Sequence, residues 1–221
     1  MSSRLIALIP AFNEAARVGD VVAKTRPHVD EVVVIDDGST DDTAVVAKKA
    51  GAKVLRHEQN RGKGGAIATA LDCFERSDAE FAIFLDADGQ HDPAEIKRFV
   101  ETAQRENADM VVGTRMNDVR DMPRVRRWTN QFTSWVTGKL ARQKIPDSQC
   151  GYRLLHRTVL KDFKFSTARF ETETEMLIQA GRASHKIANV PIRTIYEAGR
   201  ASRIRPWRDT VRFFRLVRKY W

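Results

Sequence analysis

Cysteine is scarce in this sequence: Cys73 and Cys150 are the two in 221 residues. They lie far apart and outside any metal-ligand spacing, which argues against a thiolate metal site and fits a reducing, cytoplasmic setting. Cys73, beside Leu71 and Phe74 in a helical pattern, reads as a small core residue. Long apolar runs are also missing. None approaches the roughly 18–20 residues that a spanning helix needs. The opening "MSSRLIALIPAFNE" is broken by Pro10 and Glu14 too soon for a signal peptide. The chain is therefore expected neither to be secreted nor to cross a membrane by itself. No internal repeat or low-complexity segment occurs. Two glycine signatures are absent as well: no G-x-G-x-x-G follows the first apolar run, and "NRGKGG" lacks the Walker spacing.

What is present suits one soluble domain with a modest appendage, with 42% hydrophobic and 30% charged residues. Formal charge is +9, and +7 of it falls between Arg200 and Trp221. The basicity belongs to the tail, so the chain divides into 1–198 and a basic amphipathic segment, 199–221. An anionic partner is implied.

Apolar runs without polar alternation, "RLIALIPAF", "EVVVIDDGS", "AKVLRH", "EFAIFL" and "ADMVVGTR", read as strands buried on both faces. Between them run helical patterns, "NEAARVGDVVAKTRP", "STDDTAVVAKKAG", "KGGAIATALDCFERS" and "DPAEIKRFVETAQREN", the last with Asp92 as N-cap and Pro93 at the first position. The alternation predicts an α/β fold, a mainly parallel twisted sheet with helices on both faces. After Arg115 come an Arg-rich loop, a helix "WTNQFTSWVTGKLAR", a loop "KIPDSQCGYRLL", a helix "RFETETEMLIQAG" and a strand "HKIANVPIRTIY".

Ligands of such sheets bind at the carboxyl ends of the strands, and each of the first five strands ends in polar groups. "FLDADGQH" (residues 84–91) puts Asp86 and Asp88 one residue apart, where in extended backbone the two charges would converge and repel unless a cation lies between them. With Gln90 as a neutral oxygen, the pair suits Mg²⁺ or Mn²⁺ completed by the oxygens of a diphosphate. Asp36 and Asp37 suit the N–H groups of a base or ribose hydroxyls. Arg61 and Lys63, among glycines, suit phosphate oxygens. An EF-hand fails, because counting from Asp86 its sixth and twelfth positions hold His91 and Lys97.

"IPAFNE", "VVVIDDGSTDDT", "NRGKGGAIATAL", "FLDADGQHDP" and "VVGTR" resemble, in order and spacing, the family-2 inverting glycosyltransferases. Within these the chain is most similar to the dolichyl- or polyprenyl-phosphate mannose and glucose synthase branch. The resemblance implies the nucleotide-sugar-binding glycosyltransferase fold, with Pro10, Phe12, Glu14 and Asp37 lining the nucleoside pocket. It also implies that Asp86 approaches the ribose or sugar, and that Asp88 and Gln90 hold the metal on the donor diphosphate. "DSQCGYR" is similar to the Asp-x-x-Ser-Gly-Phe-Arg of the lipid-phosphate synthases, with Cys150 for Ser. An ionised phosphate acceptor needs docking cations rather than a base, and Arg115, Arg126, Arg127 and Arg153 are the candidates. Ser202 and Arg203 match the branch's late loop over the donor.

The expected activity is metal-dependent transfer of a hexose from a GDP- or UDP-sugar to a polyprenyl phosphate at the cytoplasmic membrane face. Asp88, Arg115 and Asp147 are its candidate catalytic residues. One alternative is a hydroxyl acceptor, with Asp147 as base. Another is a non-enzymatic membrane or nucleic-acid binder, against which the core lacks arginines interleaved with stacking aromatics. In the tail, Trp207, Val211, Phe214, Val217 and Trp221 form one helical stripe, widened by Phe213, Leu216 and Tyr220. That stripe suits peripheral attachment to anionic lipid through 206–221, or packing on the domain.

Overall fold

The computed structural model describes residues 4–115, 124–165, 167, 169, 171–193, 195 and 206–221, with backbone alone at 124–126 and 206–209. Seven strands, β1 (Leu5–Ala11), β2 (Glu31–Asp36), β3 (Lys53–Arg56), β4 (Phe81–Phe84), β5 (Met110–Thr114), β6 (Arg153–His156) and β7 (Ile187–Pro191), form one sheet. Its order is β3-β2-β1-β4-β6-β5-β7. Strands β1 to β4 pair in parallel, as do β5 and β7. β6 runs antiparallel to both of its neighbours, β4 and β5. The sheet is thus mainly parallel, as the alternation of elements predicts.

Ile6, Leu8, Ile9, Val34, Ile35, Ile83, Val111 and Val112 are at most 1% exposed, which is why these strands carry no polar alternation. The covering helices are α1 (Val18–Thr25), α2 (Thr43–Lys49), α3 (Lys63–Glu75), α4 (Ile96–Glu106), α5 (Arg124–Ala141), α6 (Glu171–Arg182) and α7 (Pro206–Tyr220). Asp92 caps as expected, its Oδ1 accepting from Ala94 N, but what it opens is a 3-10 turn, Pro93–Glu95, that runs into α4.

Two expectations are corrected. The first helix begins at Val18 rather than near Asn13, because Asn13 has φ 53° and residues 15–17 form a turn. "YRLL", expected as loop, contributes β6, a four-residue strand inserted between β4 and β5. Its shortness and the preceding Cys-Gly hide it in the sequence.

The tail helix packs inward. Leu216, 2% exposed, joins Val136 and Leu140 of α5 and Ile178 of α6, with Phe213, Val217 and Tyr220 beside them. Glu175, fully buried in α6, accepts from Tyr220 Oη (2.9 Å) and pairs with Lys219 Nζ (2.8 Å). The expected apolar stripe is therefore divided. Its flank supplies the buried contacts, while Val211, Phe214 and Trp221 face outward. Trp207 lies among residues whose side chains are not described.

Candidate active site

β4 stops at Phe84, so Asp86 and Asp88 lie beyond the strand, Asp88 in the turn that follows it. Gly89, at φ +77°, bends that turn in a conformation that side chains resist. Asp86 faces inward: Lys63 Nζ, at the start of α3, lies 2.7 Å from its Oδ1 and 3.2 Å from Glu173 Oε2 of α6. Burial would raise the Asp86 pKa, but Lys63, His91 and Arg115 outweigh it and hold the carboxyl well below the usual range. Burial likewise opposes the Lys63 charge, yet the two carboxylates push its pKa above the ordinary lysine value. Gly151 leaves space for this pair, since a Cβ there would lie 2.7 Å from Asp86 Oδ2. Pro10, Arg153 and Glu173 line the small cleft beneath.

His91 is buried and accepts from the Asp86 backbone N–H through Nδ1 (3.3 Å), with its ring stacked on Tyr152 at 5.0 Å. Burial keeps its pKa below the usual histidine value, despite the neighbouring carboxylates. Asp88 is half-buried, and its Oδ1 accepts from Gln90 N (3.0 Å). Among the described residues no three His, Cys, Asp or Glu side chains cluster as a metal cage. Oxygen donors on a half-exposed turn fit a hard cation whose remaining ligands belong to a substrate.

The other strand ends are spent on building loops. Asp36 is completely buried, accepts from Ser39 N (3.0 Å) and lies 3.2 Å from Arg56 Nε. Asp37 accepts from Arg61 N and Gly62 N and pairs with His57 Nδ1, each at 2.8 Å, which fastens the "NRGKGG" loop. Pro10 and Phe12 are half-buried at the end of β1, and Glu14 is buried beside Arg17.

Arg115, just past β5, makes a two-pronged pair with Asp147: Nε to Oδ2 at 2.8 Å and Nη2 to Oδ1 at 2.9 Å. Asp147 is fully buried and also accepts from Arg115 N, Asn130 Nδ2 and Gln149 N. Burial would raise its pKa, but Arg115 and these donors bring it below the usual range. Five donors and lowered basicity make this carboxylate a poor proton acceptor.

Arg153 is 2% exposed and donates to the backbone carbonyls of Cys150 (2.7 Å), Ser148 (2.9 Å) and Glu173, which staples the 147–151 loop to α6. Arg127 is exposed on α5. The Arg126 side chain and all of Ser202 and Arg203 fall outside the described residues. Glu173 was not anticipated, because a glutamate near a helix start reads as solvated.

Residues 6–164 match the family described as Glycosyl transferase family 2. The chain belongs to that family. It is a glycosyltransferase, and the non-enzymatic alternative falls. An uncharacterized protein of Methanocaldococcus jannaschii is 35% identical over 87% of this chain and 82% of its own length. A Methanococcus voltae protein named UDP-N-acetylglucosamine--dolichyl-phosphate N-acetylglucosaminyltransferase is 33% identical over 89% of this chain and 88% of its own. That name agrees with the branch the motifs resemble. The fold of this glycosyltransferase matches glucosyl-3-phosphoglycerate synthase from Mycobacterium tuberculosis, solved with Mn²⁺, UDP and phosphoglyceric acid. The TM-score is 0.71 at 23% identity, over 98% of this chain and 76% of that one.

Proposed function

We propose that this glycosyltransferase moves a hexose from a nucleoside-diphosphate sugar to a polyprenyl phosphate, inverting the anomeric carbon, at the cytoplasmic membrane face. The carbon–oxygen bond to the donor diphosphate breaks as a bond to an acceptor phosphate oxygen forms, and the nucleoside diphosphate leaves. Asp147 carries the reading. Its carboxylate is committed to three donors of Arg115 and to Asn130 and Gln149. A hydroxyl acceptor needs a base at that place, whereas a phosphate, already ionised at neutral pH, does not. The Methanococcus relative is named for a dolichyl-phosphate acceptor and a UDP donor, which favours UDP over GDP.

Pro10, Phe12 and Glu14 would border the nucleoside, with Asp37 holding the loop beside it. Asp88 and Gln90 would hold Mg²⁺ or Mn²⁺ together with the donor diphosphate, and the cation would neutralise the leaving charge. Asp86, held ionised by Lys63, would face the ribose or sugar. Arg115, Arg126 and Arg127 would receive the acceptor phosphate, and Arg203 would close over the donor.

The test is transfer of labelled sugar from UDP- and GDP-sugars to polyprenyl phosphate with Mn²⁺. The expected product is organic-soluble and releases its sugar in mild acid, as a phosphodiester-linked sugar does. Asp88→Ala should lower transfer by about a hundredfold or more and abolish metal-dependent stabilisation by UDP. If both survive in that variant, the reading is wrong.

A further inference from the structure

Five of the eight large apolar side chains that stand exposed among the described residues lie on α5 and α7, with Trp221 just beyond α7 a sixth. On α5, Trp128 is 78% exposed, Phe132 48% and Trp135 60%. Their spacing of four and three residues puts them on one face of the helix. The opposite face, with Asn130, Ser134, Thr137 and Ala141, is buried against the domain. On α7, Val211 and Phe214, with Trp221 beyond the helix end, point away from the buried Leu216 in the same manner.

The two helices are fixed to each other. Val136 and Leu140 meet Leu216 over Ile178, and the Glu175 contacts to Lys219 and Tyr220 lock α7 onto α6. Their charge is one-sided. α5 carries no acid and four bases, and α7 carries five bases against Asp209, so the pair holds +8 of the chain's net +9. Arg127 and Lys139 on α5, and Arg215 and Arg218 on α7, are among the exposed residues.

We propose that α5 and α7 together form a preformed docking face for an anionic lipid surface, with Trp128, Phe132 and Trp135 as its inserting edge. Indole and phenyl rings flanked by arginine and lysine match the boundary between acyl chains and charged headgroups, where an apolar ring is buried while basic groups meet phosphate. A protein partner would have to place an acid against each exposed basic group, whereas an anionic bilayer offers negative charge over its whole surface. The proposal rests on the membrane-acceptor reading above but differs from attachment through 206–221 alone. Among the described residues the larger share of exposed aromatic side chains on the two helices lies on α5, and α7 is held against the domain rather than hanging from it.

The test uses the full chain and vesicles of phosphatidylcholine, alone or with an equal share of phosphatidylglycerol. Binding is read by co-sedimentation and by the tryptophan emission maximum. The wild type is expected to bind the anionic vesicles with a blue shift, to bind neutral ones weakly, and to lose binding as salt rises. Combined Trp128→Ser, Phe132→Ser and Trp135→Ser should weaken binding by about tenfold or more. The single Trp128→Ser variant should weaken it less, and serves if the triple variant does not fold. Both should keep metal-dependent thermal stabilisation by UDP with Mn²⁺, which reads the donor site separately from the lipid face. Wild-type affinity in the folded variants would overturn the proposal. So would failure of the wild type to bind anionic vesicles, or a dimer in solution that the same substitutions dissociate without any vesicle binding.

Discussion

The rim of the sheet and the helical face of α5 and α7 treat charge in opposite ways. At the rim several charged side chains are turned inward and matched: Asp37 by loop N–H groups, Asp86 by Lys63, Asp147 by Arg115. On the helical face Arg127, Lys139, Arg215 and Arg218 are exposed, and the two helices together hold one acid against nine bases. Motif residues in this chain thus put paired charges inside the site, while residues outside any motif put aromatic and basic side chains on an outer face of α5 and α7. Ionised groups are costly to bury unless paired, so the buried charges of the rim come with partners, while exposed ones need none.

The sharpest way to break that contrast is Lys63→Met. Asp86 and Glu173 would be left facing each other without a cation, and loss of a buried partner of this kind costs about 4 kcal/mol. Denaturant unfolding should show that drop, together with loss of UDP stabilisation. Adding Glu173→Gln should restore part of the stability, because one of the two stranded charges disappears. If Glu173→Gln has the same effect with and without Lys63, the three groups do not act as a unit.

A smaller effect is expected for Asp147→Asn, about 3 kcal/mol, since asparagine keeps some of the hydrogen bonds but leaves Arg115 without its counter-charge. The pH dependence has a definite sign. The folded-state pKa of Asp147 lies below its unfolded value. Its stabilisation is therefore fully present above the unfolded value of about 3.9 and is lost as pH falls through the folded one. Acid titration of unfolding should be flatter in that range for the variant than for the wild type. Equal slopes would mean that the Arg115 pair contributes nothing to acid stability.

The mildest change sharpens the other side. Tyr220→Phe removes one hydroxyl shared with Glu175 and Gln179, and should cost about 1 kcal/mol in thermal unfolding. Vesicle binding should persist, because the outward residues of α7 are untouched. Weakened vesicle binding with unchanged stability would mean that the Glu175 lock is not what holds α7.

Much of the sheet was legible because buried parallel strands leave unbroken apolar runs, and because Asp-Gly and Gly-Lys-Gly mark their ends. The turn after β4 was legible by residue type but not by conformation, since nothing local says that β4 stops at Phe84. Glu173 and Arg153 escaped for a different reason. Each is a long charged side chain drawn inward by a partner distant in sequence, Lys63 for the first and backbone carbonyls for the second. Periodicity reports which face of a helix is apolar but not which charged residue finds a buried partner. The tail shows the same limit: both edges of α7 are apolar, and packing against Ile178 chose the one with Leu216.

Strand β6 has a consequence for how the molecule assembles. In the order β4-β6-β5-β7, a four-residue strand is the hydrogen-bonded link between the parallel unit β3-β2-β1-β4 and the pair β5-β7. Residues 81–84 and 110–114 therefore cannot join the same sheet until residues 153–156 have arrived between them. The closing step waits on a loop of about seventy residues, an entropic delay that local helix formation does not share. A nascent chain ending before residue 153 would hold the aspartates of the rim in a half-sheet with an open edge at Phe81–Phe84. Arg153, the first residue of the late strand, then completes the sheet and fastens the loop carrying Asp147 in one event.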